Sequence, residues 1–119
     1  MCIRDSYNIV LEAQLKGIAA VKEGIKGKEL DKVSRDIIKD AGYGELFGHS
    51  LGHGVGMEIH EAPNASYLSE HVFKENMIIT VEPGIYIPDE FGVRIEDFVS
   101  VKKDGCVKMT LAEKSLITL

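Results

Sequence analysis

The sequence is poor in cysteine, which limits how it can be cross-linked or bind a metal through sulfur. Its two cysteines, Cys2 and Cys106, are far apart and form no Cys-x-x-Cys pair. Disulfide-rich domains and thiolate zinc sites both need several cysteines at short spacings. We therefore predict neither a disulfide framework nor a thiolate zinc site.

Long apolar runs and clusters of basic residues are missing as well. No stretch approaches the roughly 20 apolar residues that cross a membrane, and the N-terminus lacks the charged-then-apolar layout of a signal peptide. The 14 Lys and Arg residues are scattered among 19 Asp and Glu residues, for a net charge of -5. Nucleic-acid binding needs a concentrated basic surface. These absences predict a cytoplasmic protein without a membrane or nucleic-acid partner.

What is present is the composition of an ordinary globular domain of 119 residues, 45% hydrophobic and 28% charged. A domain of this size buries only about two-thirds of the surface of its unfolded chain, so a piece that lacks a packing partner would be marginally stable. Residues 1–6 fit no pattern in the rest of the sequence. We predict that they are a non-native remnant and that the domain begins at residue 7.

The first part of the sequence predicts two amphipathic helices. Between Asn8 and Glu23 apolar residues recur at helical spacing, and Gly24 supplies a stop. A second helical run ends before Gly42, which is typical of a C-cap. The apolar face of this second run consists of Leu30, Val33, Ile37, Ile38 and Ala41.

The remainder alternates short β-rich runs with Gly and Pro turns, which is typical of antiparallel strands. In the run 93–101 apolar and polar residues alternate, and Asp104-Gly105 predicts a two-residue turn after it. Two helices followed by antiparallel strands make an α+β fold. The predicted strands are Met77–Glu82, Ile85–Ile87, Val93–Val101 and Cys106–Leu111.

Three histidines, His49, His53 and His60, fall in one glycine-rich segment, FGHSLGHGVGMEIHE. Histidine is the commonest metal ligand in proteins. A glycine-rich loop with surface histidines and a phosphate-binding loop are the alternatives, although the glycine spacing does not match a dinucleotide fingerprint. In an extended segment His49 and His53 point the same way, whereas His60 needs a bend to join them.

Two glutamates occupy positions where a carboxylate is costly to bury without a cation. Glu82 ends a strand before Pro83-Gly84, and Glu96 lies within a strand rich in apolar residues. A metal would satisfy both, and Arg94, on the same strand face as Glu96, could orient that carboxylate. The alternative is a buried Arg94–Glu96 ion pair with an exposed Glu82. One imidazole with two carboxylates suits a hydrolytic divalent-metal site, and a bridging carboxylate can hold two ions about 3.5 to 4 Å apart.

Three sequence blocks carry a resemblance to a known family. HSLGHGVGMEIHEAP (49–63), ITVEPGIYIP (79–88) and GVRIEDFVSV (92–101) resemble, in order, the signature blocks of the pita-bread metallopeptidases in their Xaa-Pro aminopeptidase and prolidase branch. The resemblance extends from about Tyr7 to the C-terminus. It implies that residues 7–119 are part of a catalytic domain, namely the second of its two pseudo-symmetric halves.

The resemblance implies a role for each site residue. His53, Glu82 and Glu96 would be metal ligands, and Glu96 would bridge two divalent ions, most often manganese, with cobalt, zinc or iron as substitutes. His60 would be the proton donor or carbonyl-contacting group, His49 would line the substrate pocket, and Glu82 would also shuttle a proton. Arg94 would contact the metal ligands without binding the metal and would hold them in position.

The family has two further ligands, both aspartates, upstream of the first helix, and the sequence does not contain them. Asp31, Asp36 and Asp40 are predicted on a polar helix surface and cannot replace them. We therefore expect the 119-residue chain alone to be inactive and to bind metal weakly.

The implied reaction is hydrolysis of the N-terminal peptide bond before proline, in a homodimeric parent enzyme. Alternatives on the same fold are a methionine aminopeptidase-like peptidase, a metal-free hydrolase similar to creatinase, and a non-catalytic binding module. The retained histidine and carboxylates argue against a binding module, because unpaired carboxylates are costly to keep in a pocket.

Overall fold

A computed structural model describes residues 2–119. It contains two α-helices, a short 3₁₀ turn at Gly44–Leu46, and seven β-strands. The predicted order of two helices followed by antiparallel strands is confirmed. No helix in residues 2–119 has the length and apolar character needed to cross a membrane. The elements are α1 (Ile3–Ala20), α2 (Gly27–Asp40), β1 (Gly52–Gly54), β2 (Glu61–Ala65), β3 (Ile78–Val81), β4 (Gly84–Ile87), β5 (Phe91–Arg94), β6 (Asp97–Val101) and β7 (Cys106–Lys108).

Helix α1 begins earlier than the hydrophobic pattern predicts. Cys2 is its N-cap, and the sulfur accepts a hydrogen bond from the Asp5 N–H at 3.4 Å. The helix ends at Ala20, and Gly24 adopts φ +89 in the following turn, a left-handed conformation that suits glycine. Residues 3–6 therefore form the first helical turn. Whether residues 1–6 are native to the protein is a separate matter and stays a prediction.

Helix α2 is amphipathic, as predicted. Leu30 and Ile38 are fully buried, whereas Ala41 is exposed because it caps the helix and lies outside the apolar face. Gly42 follows with φ +95, the left-handed conformation expected after a helix C-terminus. The two helices pack closely, and the Ser34 hydroxyl donates to the Ala13 carbonyl at 2.7 Å.

The strands form two antiparallel sheets. One has five strands in the order β2-β1-β3-β6-β7, and the other pairs β4 with β5. The prediction of one continuous strand over 93–101 is wrong, because β5 and β6 belong to different sheets. A similar break at Pro83 separates β3 from β4. The two breaks lie side by side, because the Ile95 N–H donates to the Pro83 carbonyl at 3.3 Å. The predicted alternation of buried and exposed residues nevertheless continues across the break.

The turn before β7 is displaced by one residue from its predicted position. Val101 pairs with Cys106, and the Lys102 N–H donates to the Gly105 carbonyl at 2.8 Å. This register places Lys103 and Asp104 at the tip instead of Asp104-Gly105. Gly105 does not adopt a positive φ, so its special conformational freedom is not needed. Strand β7 also ends sooner than predicted, at Lys108.

A hydrophobic core fills the space between the helices and the five-stranded sheet, and it includes Phe73, Ile79 and Val99. One buried carboxylate, Asp97, lies within this layer. Burial opposes its ionisation, but hydrogen bonds from Thr110, Gln14 and Lys114 outweigh burial and lower the pKa of Asp97. These bonds connect α1, β6 and the C-terminal segment. Residue 97 is thereby fixed beside the site residue Glu96.

Candidate metal centre

His53 is carried by β1, a strand held between β2 and β3. Its glycine neighbours are required by this close packing. A Cβ added at Gly52 would lie 1.9 Å from the Thr80 carbonyl oxygen, and one at Gly54 would lie 2.2 Å from the Ala62 carbonyl oxygen. Both distances are too short for any side chain. The glycines therefore allow the strands to approach and place the histidine between them.

Hydrogen bonds fix both the backbone and the ring of His53. Its N–H donates to Thr80 Oγ1 at 3.0 Å, and its Nδ1 lies 2.8 Å from the Gly54 carbonyl oxygen. A carbonyl can only accept, so Nδ1 carries the proton in this contact. Nε2 faces Glu82 Oε1 at 3.1 Å. Nε2 and this carboxylate oxygen therefore face the same space, where a divalent ion would bind the imidazole through Nε2.

Glu82 follows β3 and is held from two directions. Its N–H donates to the Leu51 carbonyl at 2.8 Å, and the Thr80 hydroxyl donates to its Oε1 at 2.9 Å. Thr80 is fully buried and thus connects the backbone of His53 with the carboxylate of Glu82. Sequence reasoning missed Thr80. The available signal was its position two residues before Glu82, on the same face of a strand.

Glu96 lies between β5 and β6 and completes a three-residue group. Ligand atoms of His53, Glu82 and Glu96 all lie within 4.8 Å of one another. Partial burial and the charge of Glu82 raise the pKa of Glu96, while Arg94 and His53 oppose that rise. A cation between the carboxylates would relieve the repulsion that raises this pKa. One imidazole nitrogen and two carboxylates are a donor set that fits a divalent metal ion.

The group opens into a cavity of about 430 Å³. His60 is exposed at its wall, and its ring centroid lies 4.7 Å from that of His53. The bend that brings His60 there is the connection between β1 and β2. The cavity is therefore lined by every site residue predicted from the sequence except Glu96. Its lining comprises His49, Ser50, Gly52, His53, His60, Asn64, Ser66, Glu82 and Arg94.

His49 is oriented by two contacts. Its Nδ1 lies 2.7 Å from the Ser50 carbonyl oxygen, and its Nε2 lies 2.6 Å from the Tyr86 hydroxyl. Because the carbonyl must accept from Nδ1, Nε2 accepts from Tyr86. Tyr86 lies on β4 and was not identified from the sequence, because its partner is 37 positions away.

Arg94 lies beside both Tyr86 and Glu82. A hydrogen-bonding interaction with Tyr86 is the largest cause of its raised pKa, and its Nε lies 3.9 Å from Glu82 Oε2. The sequence predicted that Arg94 orients Glu96. The structure directs the guanidinium to Glu82 instead, and its effect on Glu96 is electrostatic.

The helix aspartates lie outside this group. Asp36 pairs with Lys32 on the exposed side of α2, whereas Asp31 is fully buried and pairs with Arg35. The predicted polar surface position is therefore wrong for Asp31, because Arg35 compensates its charge inside the protein. Among residues 2–119, the only group with metal-binding geometry remains that of His53, Glu82 and Glu96.

The sequence model of metallopeptidase family M24 matches residues 3–103, which include the whole site. The chain belongs to metallopeptidase family M24. It is 54% identical over 114 residues to an Xaa-Pro dipeptidase of Pyrococcus horikoshii, a match that covers 96% of this chain and 32% of that relative.

Solved structures share the fold of this chain. An Xaa-Pro dipeptidase from Bacillus anthracis superposes with a TM-score of 0.96 at 52% identity, over 98% of this chain and 33% of the other. A prolidase from Pyrococcus furiosus superposes with a TM-score of 0.90 at 55% identity, over 92% of this chain and 33% of the other. The predicted pita-bread fold is confirmed. The chain spans about a third of the length of these relatives.

Proposed function

We propose that this M24 chain supplies the C-terminal part of a metal-dependent enzyme that hydrolyses the peptide bond between an N-terminal residue and proline. The observation that carries the proposal is the convergence of His53, Glu82 and Glu96 within 4.8 Å at a cavity that also contains His49 and His60. The relatives named Xaa-Pro dipeptidase and prolidase support the choice of substrate.

His53 Nε2 and the carboxylates of Glu82 and Glu96 would hold the metal, with Glu96 shared between two ions. Two divalent ions would supply a water of lowered pKa and a polarised substrate carbonyl. We expect manganese first, with cobalt, zinc or iron as substitutes. The protein fits such ions because His53 Nε2 faces the Glu82 carboxylate and Thr80 holds that carboxylate in place. The family resemblance assigns two more ligands to upstream aspartates.

The remaining chemistry belongs to side chains of this chain. Glu82 would accept a proton from the attacking water and deliver it to the leaving nitrogen. His60, exposed at the cavity wall, would donate a hydrogen bond to the developing oxyanion of the scissile carbonyl. His49, held by Tyr86, would contact the substrate, and Arg94 would stabilise the negative charge of Glu82.

With three of the five expected ligands, the 119-residue chain by itself would bind metal weakly and would not hydrolyse peptides. Cleavage of an Xaa-Pro peptide by the purified 119-residue chain would contradict this expectation. A cytoplasmic location and a homodimeric parent enzyme stay predictions.

The decisive experiment uses a chain extended upstream to the length of the relatives. The assay compares an Xaa-Pro dipeptide with the matching Xaa-Ala dipeptide, in the presence of manganese and after treatment with a chelator. We expect cleavage of the proline peptide that the chelator abolishes and manganese restores. Chelator-resistant hydrolysis would favour the creatinase-like alternative. Folded, metal-loaded protein that cleaves neither peptide would favour a binding role.

A further inference from the structure

The segment 47–51 leads from the 3₁₀ turn into β1 and has His49 at its centre. It belongs to no strand, so its backbone polar groups lack the partners that a sheet would provide. Phe47 and Leu51 at its ends are buried. The position of His49 therefore depends on whatever satisfies this backbone.

An ion pair on α2 provides those partners. Arg35 Nη1 donates to the Phe47 carbonyl at 2.9 Å, and Nη2 donates to the His49 carbonyl at 2.8 Å. The Leu51 N–H donates to Asp31 Oδ2 at 3.1 Å. The pair itself is bidentate, with Arg35 Nε at 2.7 Å from Asp31 Oδ1 and Nη2 at 3.0 Å from Oδ2. One ion pair thus fixes every second residue of the segment.

Ring contacts extend this control to the His49 side chain. The Arg35 guanidinium lies 4.1 Å above the Phe47 ring centroid. The Phe47 ring meets the His49 ring edge-on, with centroids 5.1 Å apart. His49 is therefore held by Arg35 through its backbone and through Phe47, and its Nε2 is directed to Tyr86.

The complete burial of Asp31 indicates that its pair with Arg35 does more than stabilise the helix. Lys32 and Asp36 form an ion pair at the same spacing on the same helix, but both side chains are well exposed. Asp31, by contrast, has no exposed surface. An ion pair with a buried member adds little net stability compared with apolar packing, and in some proteins such a pair instead fixes a geometry.

We propose that the Asp31–Arg35 pair is a positioning device for substrate binding, which holds segment 47–51 so that His49 faces the cavity. The inference rests on the proposed function, which gives His49 a place in the substrate pocket. Neither Asp31 nor Arg35 lines the cavity around the metal ligands. Both residues act through His49.

The kinetic test uses the upstream-extended enzyme and the variant Arg35→Lys, which keeps the charge but cannot bond to Asp31 and two carbonyls at once. We expect KM for the Xaa-Pro dipeptide to rise about five- to tenfold, the effect of one lost hydrogen bond, with kcat changed by less than about twofold. Lys32→Met, which breaks the exposed pair of the same helix, is the matched control and should leave KM unchanged.

A double-mutant cycle separates positioning from general destabilisation. In a His49→Asn background, Arg35→Lys should change KM by less than about twofold, because the residue through which it acts is gone. An equal increase of KM in both backgrounds would overturn the proposal. If Arg35→Lys does not give folded protein, Asp31→Asn enters the same cycle, since its amide oxygen still accepts from Leu51 while its charge is lost.

A second readout does not depend on activity. In protein labelled with ¹⁵N-histidine, the His49 resonances, identified by their loss in His49→Asn, should show an Nδ1–H tautomer. They should shift in Arg35→Lys and stay unchanged in Lys32→Met. Unchanged His49 resonances in Arg35→Lys would also overturn the proposal. If the extended enzyme cleaves no proline peptide, the proposed function fails while these resonances still decide whether Arg35 positions His49.

Discussion

Replacing Thr80 by valine removes one hydroxyl group and keeps the shape of the side chain. That hydroxyl accepts from the His53 N–H at 3.0 Å and donates to Glu82 Oε1 at 2.9 Å. Thr80 is fully buried, so water cannot easily take its place. The substitution therefore loosens two of the three candidate ligands without touching either of them.

The size of the effect follows from these two bonds. The bond from the His53 N–H contributes about 1 kcal/mol and the bond to the Glu82 carboxylate about 2 kcal/mol, while the added methyl group returns about 1 kcal/mol. We expect Thr80→Val to lower the free energy of unfolding by about 2 kcal/mol. Loss of a hydrogen bond that orients a metal ligand typically weakens metal binding by about 10- to 100-fold.

The assay uses the upstream-extended enzyme, with chemical denaturation in the presence of a chelator and manganese affinity from competition with a chelating dye. Thr80→Ser, which retains the hydroxyl, is the matched control and should keep most of the affinity. If Thr80→Val binds manganese as tightly as the wild type, the hydroxyl does not orient the ligands. If Thr80→Ser weakens binding equally, the lost methyl group is the cause and the reasoning fails.

Three further predictions concern single residues. Glu96→Gln in the extended enzyme should abolish turnover and reduce the manganese bound per chain, because an amide bridges two ions poorly. An activity assay and elemental analysis of the bound manganese would measure both effects. Retained activity would exclude the bridging role. Gly52→Ala should lower the melting temperature and the metal affinity together, because the added Cβ would lie 1.9 Å from the Thr80 carbonyl oxygen. An unchanged melting temperature would contradict the close approach of β1 to β3. Burial raises the pKa of the Cys106 thiol, so at a given alkaline pH a smaller fraction of Cys106 is thiolate than of a thiol with an ordinary pKa. Iodoacetamide should therefore label exposed Cys2 before Cys106, as followed by peptide mass mapping. Equal labelling rates would show that Cys106 is accessible.

Much of the fold follows from local patterns. The 3.6-residue period of α2 and the alternation along 93–101 depend only on which face is buried, and both are visible in the sequence. The division of 93–101 between two sheets was not predictable in this way. It depends on the partners β3 and β4, which part at Pro83, and the alternation of side chains continues unchanged through the break.

The candidate ligands were predictable because their surroundings are unusual in sequence. His53 lies between glycines, Glu82 directly precedes Pro83-Gly84, and Glu96 lies within a strand rich in apolar residues. Thr80 and Tyr86 stand out less in the sequence, because threonine and tyrosine are ordinary strand residues. Their importance arises from partners 27 and 37 positions away. The tertiary role of Arg35 was likewise hidden, since its helical spacing to Asp31 resembles that of the exposed Lys32–Asp36 pair.

The passage of residues 93–101 from one sheet to the other restricts how this part of the site can change during evolution. Ile95 and Asp97 point inward and Glu96 points outward, so side-chain direction depends on whether a position is odd or even. A single-residue insertion or deletion beside Glu96 would exchange these directions, so that the Glu96 carboxylate would point into the core. A two-residue change would preserve them. Related proteins should therefore differ here by substitution or by even-numbered length changes, and single-residue length changes should coincide with loss of the metal.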